Sequence, residues 1–558
     1  MATKRSATQV DGIAVVVNEA SEVAGVLTDG DIRRAYARGV AFETAVAEIM
    51  VKDPVTIPSA TPSSSIVAEV IGRMKSVRRL HAAVRHVLVV DDSNRLVDVL
   101  DVTELLLRSS HRSQKVAVYG LGHVGLTLAA SLANVGHTVT GVDTNTTLCD
   151  ALRRGKVDMF EPGLTDMLDL AVRNQRMMYA ERLETQDHQI HIVAVGSPVD
   201  DQGRANTDAL MAVARTLVPL LKKGDLVLLR STVPVGFTRK TFTAFLQKQT
   251  ALKAGADFFV AFTPERTVEG RALHELRTLP QIVGGHDEIC TERAAAFWST
   301  LTPSVVRVDS LEAAELIKVA NNSFRDLSFA FANELALVCD CHNLNAFNVI
   351  QAANEGYPRN PIPFPSPGVG GYCLTKDPLL YSQPVGAIGF RPRLSIQGRE
   401  VNELAKEYPI RVIERWLAAH GSTVVGLRVL AIGMAFKGYP ENADLRGSTS
   451  IAVAKRLMEL GADVQVWDAV VSAAALEKHT LRVAPDVRTA LAAADVVLVL
   501  NNHPSHPQLG VPRQLSFGRR PRLLFDGWNQ FDGREIEQLQ GLTYATMGYA
   551  TKNPQGAA

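Results

Sequence analysis

The stretch KVAVYGLGHVGLTLAASLANVGHTVTGVD, residues 115–143, limits the fold more than any other part of the chain. An apolar run ends in a glycine turn, a helical pattern follows, and a second apolar run closes on Asp143. Gly120, Gly122 and Gly125 stand in the spacing G-x-G-x-x-G. Glycines permit a tight turn and a close approach of the backbone to a pyrophosphate, which the N-terminus of the following helix then faces. Asp143, 18 residues beyond Gly125, is placed to accept hydrogen bonds from an adenosine ribose, which favours NAD over its 2′-phosphorylated form. Strand, turn, helix and acid together predict a parallel-sheet α/β domain that binds NAD.

The alternation continues downstream. HIVAVGSP, DLVLLRSTVP and DFFVAFTPE are apolar runs that end in small or polar residues, as buried parallel strands do, and the carboxyl ends of such strands hold ligands. Ser197, Thr232 and Glu265 each follow one of these runs, and read either as ligand-facing groups or as turn and cap residues. From about Leu311 the pattern turns helical for roughly 30 residues, long enough for a central helix between two domains. Lys318 and Asn322, four apart, share a face of it, with Arg325 and Asp326 about a turn further on.

The prolines of AANEGYPRNPIPFPSP exclude a regular helix, and this segment carries Arg359. It delivers the chain to GVGGYCLTKD, residues 368–377, where Cys373 follows Gly370 and Gly371, with Asp377 four residues beyond. A free cysteine is ordinarily a small apolar filler. The glycines, Lys376, Asp377 and the polar row on the central helix argue instead for a reacting thiol. A second helical tract, which contains Arg399 and Asn402, is predicted from about Leu394 to His420 and is expected to pair with its symmetry mate in a dimer. The last 140 or so residues repeat the strand and helix alternation without G-x-G-x-x-G, which predicts a second doubly wound domain with a different ligand. Lys437 and Arg446 follow its first strand and suit phosphate recognition.

At 558 residues the chain has room for about three or four domains. Lys plus Arg (59) balances Asp plus Glu (58), so no global field draws nucleic acid or an anionic membrane. The opening MATKRSATQV lacks a signal peptide's apolar core, and no apolar run approaches the roughly 20 residues that span a bilayer. The expectation is a soluble, cytoplasmic protein with neither membrane nor nucleic-acid partner. Five cysteines without a CxxC pair give no metal site and no disulfide framework, so Cys373 is expected as a thiol.

Residues 11–110 contain two weakly similar units, DGIAVVVNEASEVAGVLTDGDIRRAY and RHVLVVDDSNRLVDVLDVTELL. Both resemble the CBS (Bateman) domain, whose pairs often bind adenine nucleotides between the copies. The resemblance implies that Thr28 and Asp31 hold a ribose; the second copy has Asp101 and Glu104 at those positions, and the first lacks its leading strand and helix. An adenine-nucleotide site and a structural or oligomer-forming module both stay open.

Residues 115 to about 545 resemble the nucleotide-sugar 6-dehydrogenases, the family of UDP-glucose dehydrogenase. The resemblance rests on the glycine loop, Glu161-Pro162-Gly163-Leu164, Ser231-Thr232-Val233-Pro234, Thr263-Pro264-Glu265-Arg266, Glu315-Leu316-Ile317-Lys318, Gly370-Gly371-Tyr372-Cys373 and Ala435-Phe436-Lys437. Asn321-Asn322-Ser323-Phe324-Arg325-Asp326 looks most like the branch acting on UDP-N-acetylhexosamines, particularly UDP-N-acetylmannosamine. The implied fold is two Rossmann-like doubly wound domains joined by a central helical domain and preceded by a CBS α+β module. Boundaries are expected at 1–110, 114–305, 306–420 and 421–558, in a homodimer or higher homo-oligomer.

The implied reaction is a four-electron oxidation of a sugar C6 alcohol to a carboxylate with two NAD+, for surface polysaccharide synthesis. Cys373 would carry a thiohemiacetal and then a thioester. Lys318 and Asn322 would stabilise the developing oxyanion, Asp377 would assist proton transfer, and Glu265 would activate water positioned by Thr232. NAD would lie against Gly120, Gly122, Gly125, Asp143, Ser197, Thr232 and Arg446, and the sugar nucleotide against Arg325, Arg359, Gly370 and Lys437, with Arg359 expected from a neighbouring subunit. UDP-N-acetylglucosamine and UDP-glucose are alternative substrates. Two competing readings are a single-step alcohol oxidation with a structural Cys373, and an adenine-nucleotide sensor on a dehydrogenase scaffold.

Overall fold

The computed structural model describes residues 13–28, 31–32, 35, 38–41, 44–59, 61, 86–101, 113–157, 159–200, 203–383, 390, 392–517 and 521–550. The chain divides into two compact units, Met1–Ser113 and Gln114–Ala558.

In the first unit β1 (Ile13–Val17) pairs antiparallel with β2 (Val23–Thr28). β3 (Thr56–Pro58) runs parallel to β4 (His86–Val90), which pairs antiparallel with β5 (Leu96–Asp101). The two hairpins carry the same irregularity, a register shift between Val16 and Val17 and another between Val89 and Val90. The similarity of the two sequence units therefore extends to the backbone. Asn94 joins their turns, its carbonyl accepting from the Val23 amide at 2.8 Å and its Nδ2 donating to the Val23 carbonyl at 3.1 Å. Thr28 Oγ1 and Thr28 N both donate to Asp31 Oδ2, at 2.6 and 3.0 Å. Asp29, Gly30, Glu104, the Asp101 side chain and linker residues 109–112 lie outside the described residues.

The second unit opens on an eight-stranded sheet. Its strands are β6 (Lys115–Tyr119), β7 (Thr138–Val142), β8 (Met177–Ala180), β9 (Ile190–Val193), β10 (Leu226–Leu229), β11 (Phe259–Phe262), β12 (Gln281–Gly285) and β13 (Val305–Val308). Their spatial order is β13-β12-β11-β10-β9-β6-β7-β8, and every pairing is parallel except β11 with β12. Strands β9, β10 and β11 are buried along their whole length, which explains their unbroken apolar runs. Alternate residues of β6 serve two cores: Val116 and Val118 pack on one face, Ala117 and Tyr119 on the other. The order reverses between β6 and β9, the crevice where an open α/β sheet binds its ligand.

Helix α1 (His123–Asn134) follows β6, and α2 (Leu311–Cys341) follows β13. Ser310 caps α2, accepting from the Ala313 amide at 3.1 Å, and its 31 residues match the length read from periodicity. The expected single tract from Leu394 to His420 is instead two helices, α3 (Leu394–Leu404) and α4 (Tyr408–Ala419), parted by a 3-10 turn at Ala405–Glu407. Pro409 sits in the first turn of α4, where its missing N–H costs nothing.

A second, six-stranded sheet holds β14 (Arg428–Ile432), β15 (Asp463–Trp467), β16 (Val496–Val499), β17 (Arg522–Asp526), β18 (Leu542–Thr546) and β19 (Tyr549–Ala550). Its order is β15-β14-β16-β17-β18-β19, parallel up to β18, a doubly wound arrangement with its switch between β14 and β16.

Candidate active site

The glycines of the β6–α1 turn answer to different constraints. Gly120 has φ +92°, and a Cβ there would lie 2.9 Å from the Val195 Cα. A Cβ on Gly125 would lie 1.8 Å from the Gly120 carbonyl oxygen. A Cβ on Gly122 would meet nothing within 4 Å, so this residue leaves open space beside the helix N-terminus. Asp143 Oδ2 accepts from the Leu121 amide at 2.8 Å, which fixes the acid at the end of β7 against the glycine turn. An open Gly122, a helix N-terminus and a fixed terminal acid suit the pyrophosphate and ribose of NAD.

The cysteine loop is shaped by close approach. A Cβ on Gly370 would lie 2.4 Å from the Gly447 carbonyl oxygen, and one on Gly371 2.8 Å from the Phe436 ring. The loop can thus press against the second Rossmann-like domain. Cys373 is open to solvent within the cavity. Desolvation pushes its thiol up; Lys318 pulls it down, Asp377 pushes it up, Lys376 pulls it down and Glu269 pushes it up, with a raised pKa as the net result. Asp377 is fully buried, taking Lys376 Nζ on Oδ1 at 2.7 Å and Asn322 Nδ2 on Oδ2 at 2.6 Å.

The loop after β11 supplies a second set of groups. Glu265 Oε1 accepts from the backbone amides of Arg266 and Thr267, each at 2.7 Å. Its Oε2 accepts from Arg230 Nε at 2.8 Å and also from Arg230 Nη2. Burial pushes this carboxyl up, but Arg230, the Thr267 amide and Lys318 outweigh it and hold it below the usual range. Lys318 Nζ donates to the Glu265 carbonyl oxygen. The far end of the loop is held by Glu161, whose Oε2 accepts from the Gly270 amide at 2.8 Å and lies 3.0 Å from His123 Nε2. Burial pushes the Glu161 carboxyl up as well, and these partners bring it below its usual value.

The second Rossmann-like domain closes the site. Lys437 Nζ donates to the Glu269 carbonyl at 3.0 Å. Arg446 pairs with Asp444 at 2.7 Å, reaches Glu269 Oε1 at 3.2 Å and lies 5.0 Å from the Tyr372 ring. A cavity of about 830 Å³ joins these parts, lined by Gly122, Ser197, Thr232, Glu265, Lys318, Asn322, Arg325, Gly370, Cys373, Lys437 and Arg446 among others. Ser197 Oγ donates to the Thr232 carbonyl at 2.6 Å and ties two of these residues together.

Some expected residues lie elsewhere. Gly120, Gly125 and Asp143 do not line the cavity; Gly120 and Gly125 pack within the glycine turn, and Asp143 is tied to it through the Leu121 amide. Arg359 is exposed, 5.7 Å from the Tyr357 ring, and does not line the cavity within one chain. Arg399 and Asn402 of the second helical tract turn inward: Arg399 Nη1 donates to Asp326 Oδ1 at 2.6 Å, and Asn402 Nδ2 to the same oxygen at 2.9 Å. Sequence reasoning missed Arg230, although an arginine directly after the fully apolar β10 signals a buried charge that needs a partner. It also missed His123, inside the glycine motif itself.

A dinucleotide edge facing a thiol, with a second α/β domain closing over both, defines an NAD-dependent dehydrogenase. The sequence matches the UDP-glucose/GDP-mannose dehydrogenase family in its NAD binding domain (residues 114–302), central domain (312–404) and UDP binding domain (430–533), and a CBS domain at 46–111. It is 32% identical over 406 residues to the UDP-N-acetyl-D-mannosamine dehydrogenase of Yersinia pestis, covering 70% of this chain and 94% of that one. It is likewise 32% identical over 430 residues to an NDP-N-acetyl-D-galactosaminuronic acid dehydrogenase of Ralstonia nicotianae, covering 75% and 97%. Among solved structures, the UDP-D-ManNAc dehydrogenase of Pyrococcus horikoshii superposes with TM-score 0.69 at 25% identity, covering 78% of this chain and 99% of that one. The chain belongs to the UDP-glucose/GDP-mannose dehydrogenase family, and is an NAD-dependent nucleotide-sugar dehydrogenase with an added CBS domain.

Proposed function

We propose that this enzyme oxidises the C6 alcohol of UDP-N-acetyl-D-mannosamine to the carboxylate, in two NAD-dependent steps through a thioester on Cys373. One observation carries the reading: a single cavity brings the Cys373 thiol together with the open Gly122 edge and with Lys437 and Arg446 of the UDP binding domain. The similarity to relatives that handle N-acetylhexosamine nucleotides supports the sugar class.

NAD+ supplies the oxidant in each step. Lys318 and Asn322, one turn apart on α2, would hold the C6 oxygen as charge develops on it. The aldehyde would add to Cys373 Sγ, and the thiohemiacetal would lose its second pair of electrons to become the thioester. Asp377, held by Asn322 and Lys376, would carry the proton of the Cys373 step. Thr232 and Glu265 line the same cavity as Cys373 and would border the approach of water to the thioester. Water adds its oxygen to the acyl carbon, the C–S bond breaks, and the uronate leaves.

Arg359 would complete the sugar-nucleotide grip from a second copy of the chain. Phe324, Phe331 and Val338 stand seven apart on α2 and are 74%, 55% and 50% exposed, an apolar stripe suited to its equivalent in a dimer. The CBS unit would hold an adenine nucleotide near Thr28 and Asp31. The product would serve surface polysaccharide synthesis in the cytoplasm.

The sugar is tested by NADH release from UDP-N-acetylmannosamine, UDP-N-acetylglucosamine and UDP-glucose. The highest kcat/KM is expected with the first, and a preference for UDP-glucose would contradict the proposal.

A further inference from the structure

The NAD binding and UDP binding domains touch through two sets of contacts. In the first, Lys437 and Arg446 reach Glu269, and all three line the cavity, so an entering ligand takes these groups over. The second set lies outside the cavity. Arg271 Nη2 donates to the Tyr439 hydroxyl, and its guanidinium carbon lies 5.0 Å from the Tyr439 ring. Beside it the Glu441 carbonyl passes so near Gly270 that a Cβ there would lie 2.4 Å from that oxygen. Gly270, Arg271, Tyr439 and Glu441 do not line the cavity. Each side of this second set is anchored in its own domain. On the NAD side Glu161 accepts from the Gly270 amide at 2.8 Å and the Leu273 amide at 3.3 Å, and lies 3.0 Å from His123 at the start of α1. On the UDP side the Gly438 and Tyr439 amides both donate to Asn502 Oδ1, at 2.9 and 3.1 Å, and Glu441 Oε1 lies 3.0 Å from His503 Nε2. Asn502 and His503 follow β16, so the contact is fastened to the second sheet.

We propose that Arg271 and Tyr439 are positioning residues: they latch the UDP binding domain onto the NAD binding domain, so that both ligands meet a cavity already closed. A cavity with walls from two domains binds tightly only while the domains are together. If they part for some of the time, the apparent affinity of each ligand drops to the closed fraction of its intrinsic value. Contacts inside the cavity cannot hold it closed for a ligand that takes them over. Arg271 and Tyr439 keep their contact whatever is bound. In the two-step reading, on which this last consequence rests, the same latch keeps the aldehyde in the cavity between the two hydride transfers.

The test compares the wild type with Tyr439→Ala, Tyr439→Phe and Arg271→Gln, all altered outside the cavity. NADH affinity is read by fluorescence titration, with and without saturating UDP. Loss of the cation–π contact and its hydrogen bond should weaken NADH binding about threefold to thirtyfold in Tyr439→Ala. Saturating UDP should restore it to within about twofold of the wild type, because UDP draws the same two walls together. In the wild type, UDP should change NADH affinity little. Tyr439→Phe, which keeps a ring under the guanidinium, should fall between wild type and Tyr439→Ala, and Arg271→Gln should match Tyr439→Ala. Weakened binding that UDP does not restore is what simple damage to the fold gives, and it overturns the latch. Unchanged NADH affinity in Tyr439→Ala and Arg271→Gln overturns it too. Tyr439 is 54% exposed, so its truncation leaves the core intact, and Arg271→Gln carries the same comparison if Tyr439→Ala does not fold. In turnover, Tyr439→Ala should release aldehyde, trapped by hydroxylamine, and form fewer than two NADH per sugar. Two NADH with no trapped aldehyde would overturn the retention of the aldehyde. A wild type that itself stops at one NADH would sink the two-step reading and leave the binding result standing.

Discussion

Gly122 and Gly125 lie three residues apart, yet a side chain at each would matter for opposite reasons. At Gly125 a Cβ would strike the Gly120 carbonyl 1.8 Å away; at Gly122 it would enter open space. Gly125→Ala is therefore expected to destabilise the fold by about 1 to 3 kcal/mol. Gly122→Ala should leave Tm nearly unchanged but weaken NADH binding roughly tenfold or more, because the methyl group occupies the cofactor's space. Thermal unfolding and a fluorescence titration separate the two, and equal loss of stability in both would count against the account. This much was legible in sequence because spacing, strand and acid all lie within one short stretch. Arg230 was not, since its partners Glu265 and Gln281 lie 35 and 51 residues away and no periodicity links them.

At the scale of elements, α2 and α3 build the platform for the cysteine loop. Asp326 is fully buried between them, and burial lifts its pKa to about 6 even though Arg399 and Asn402 draw it down. Asn402 passes the contact on: its Oδ1 accepts from Asn333 Nδ2 at 2.9 Å, and Asn333 Oδ1 accepts from the Ser366 amide at 2.9 Å. Arg399 also reaches the Val369 and Leu374 carbonyls, at 3.3 and 3.4 Å, on either side of Cys373's turn. Arg399→Met should cost about 3 to 5 kcal/mol, since it leaves Asp326 buried without its cation. It should lower kcat more than it raises KM for NAD, as the loop moves while the glycine turn stays; denaturant unfolding and steady-state kinetics check both. Periodicity predicted α2 correctly from one face of apolar residues. It could not show that Arg399 and Asn402 turn inward, because their partner Asp326 lies 73 and 76 residues away in sequence.

Across the whole molecule, buried titratable groups set how the fold responds to acid. Burial lowers His188 and His506 to about 4, and raises Asp326 and Asp526 to about 6. The unfolded chain takes up the histidine protons near pH 6.5, so the stability those groups support is present above that pH and is lost as pH falls toward 4. The two aspartates act oppositely, binding protons earlier in the folded state and offsetting part of that loss between about pH 6 and 4. His188→Asn, in an environment that already holds the ring neutral, should flatten the acid limb of Tm; an unchanged limb would show that His188 is charged in the fold. The two doubly wound domains were legible because alternating strands and helices announce each, and the helical stretch between them because its apolar period changes. The closing of the cavity was not, because Gly370 against Gly447 and Lys437 against Glu269 join segments that only the packed chain brings together. The central claim is that one site oxidises a sugar alcohol twice through Cys373, and the most direct measurement is NADH formed per UDP-N-acetylmannosamine consumed, with the product identified. The account predicts two NADH and a uronate, with no uronate from Cys373→Ala; one NADH and a free aldehyde, or an undiminished uronate yield from Cys373→Ala, would contradict it.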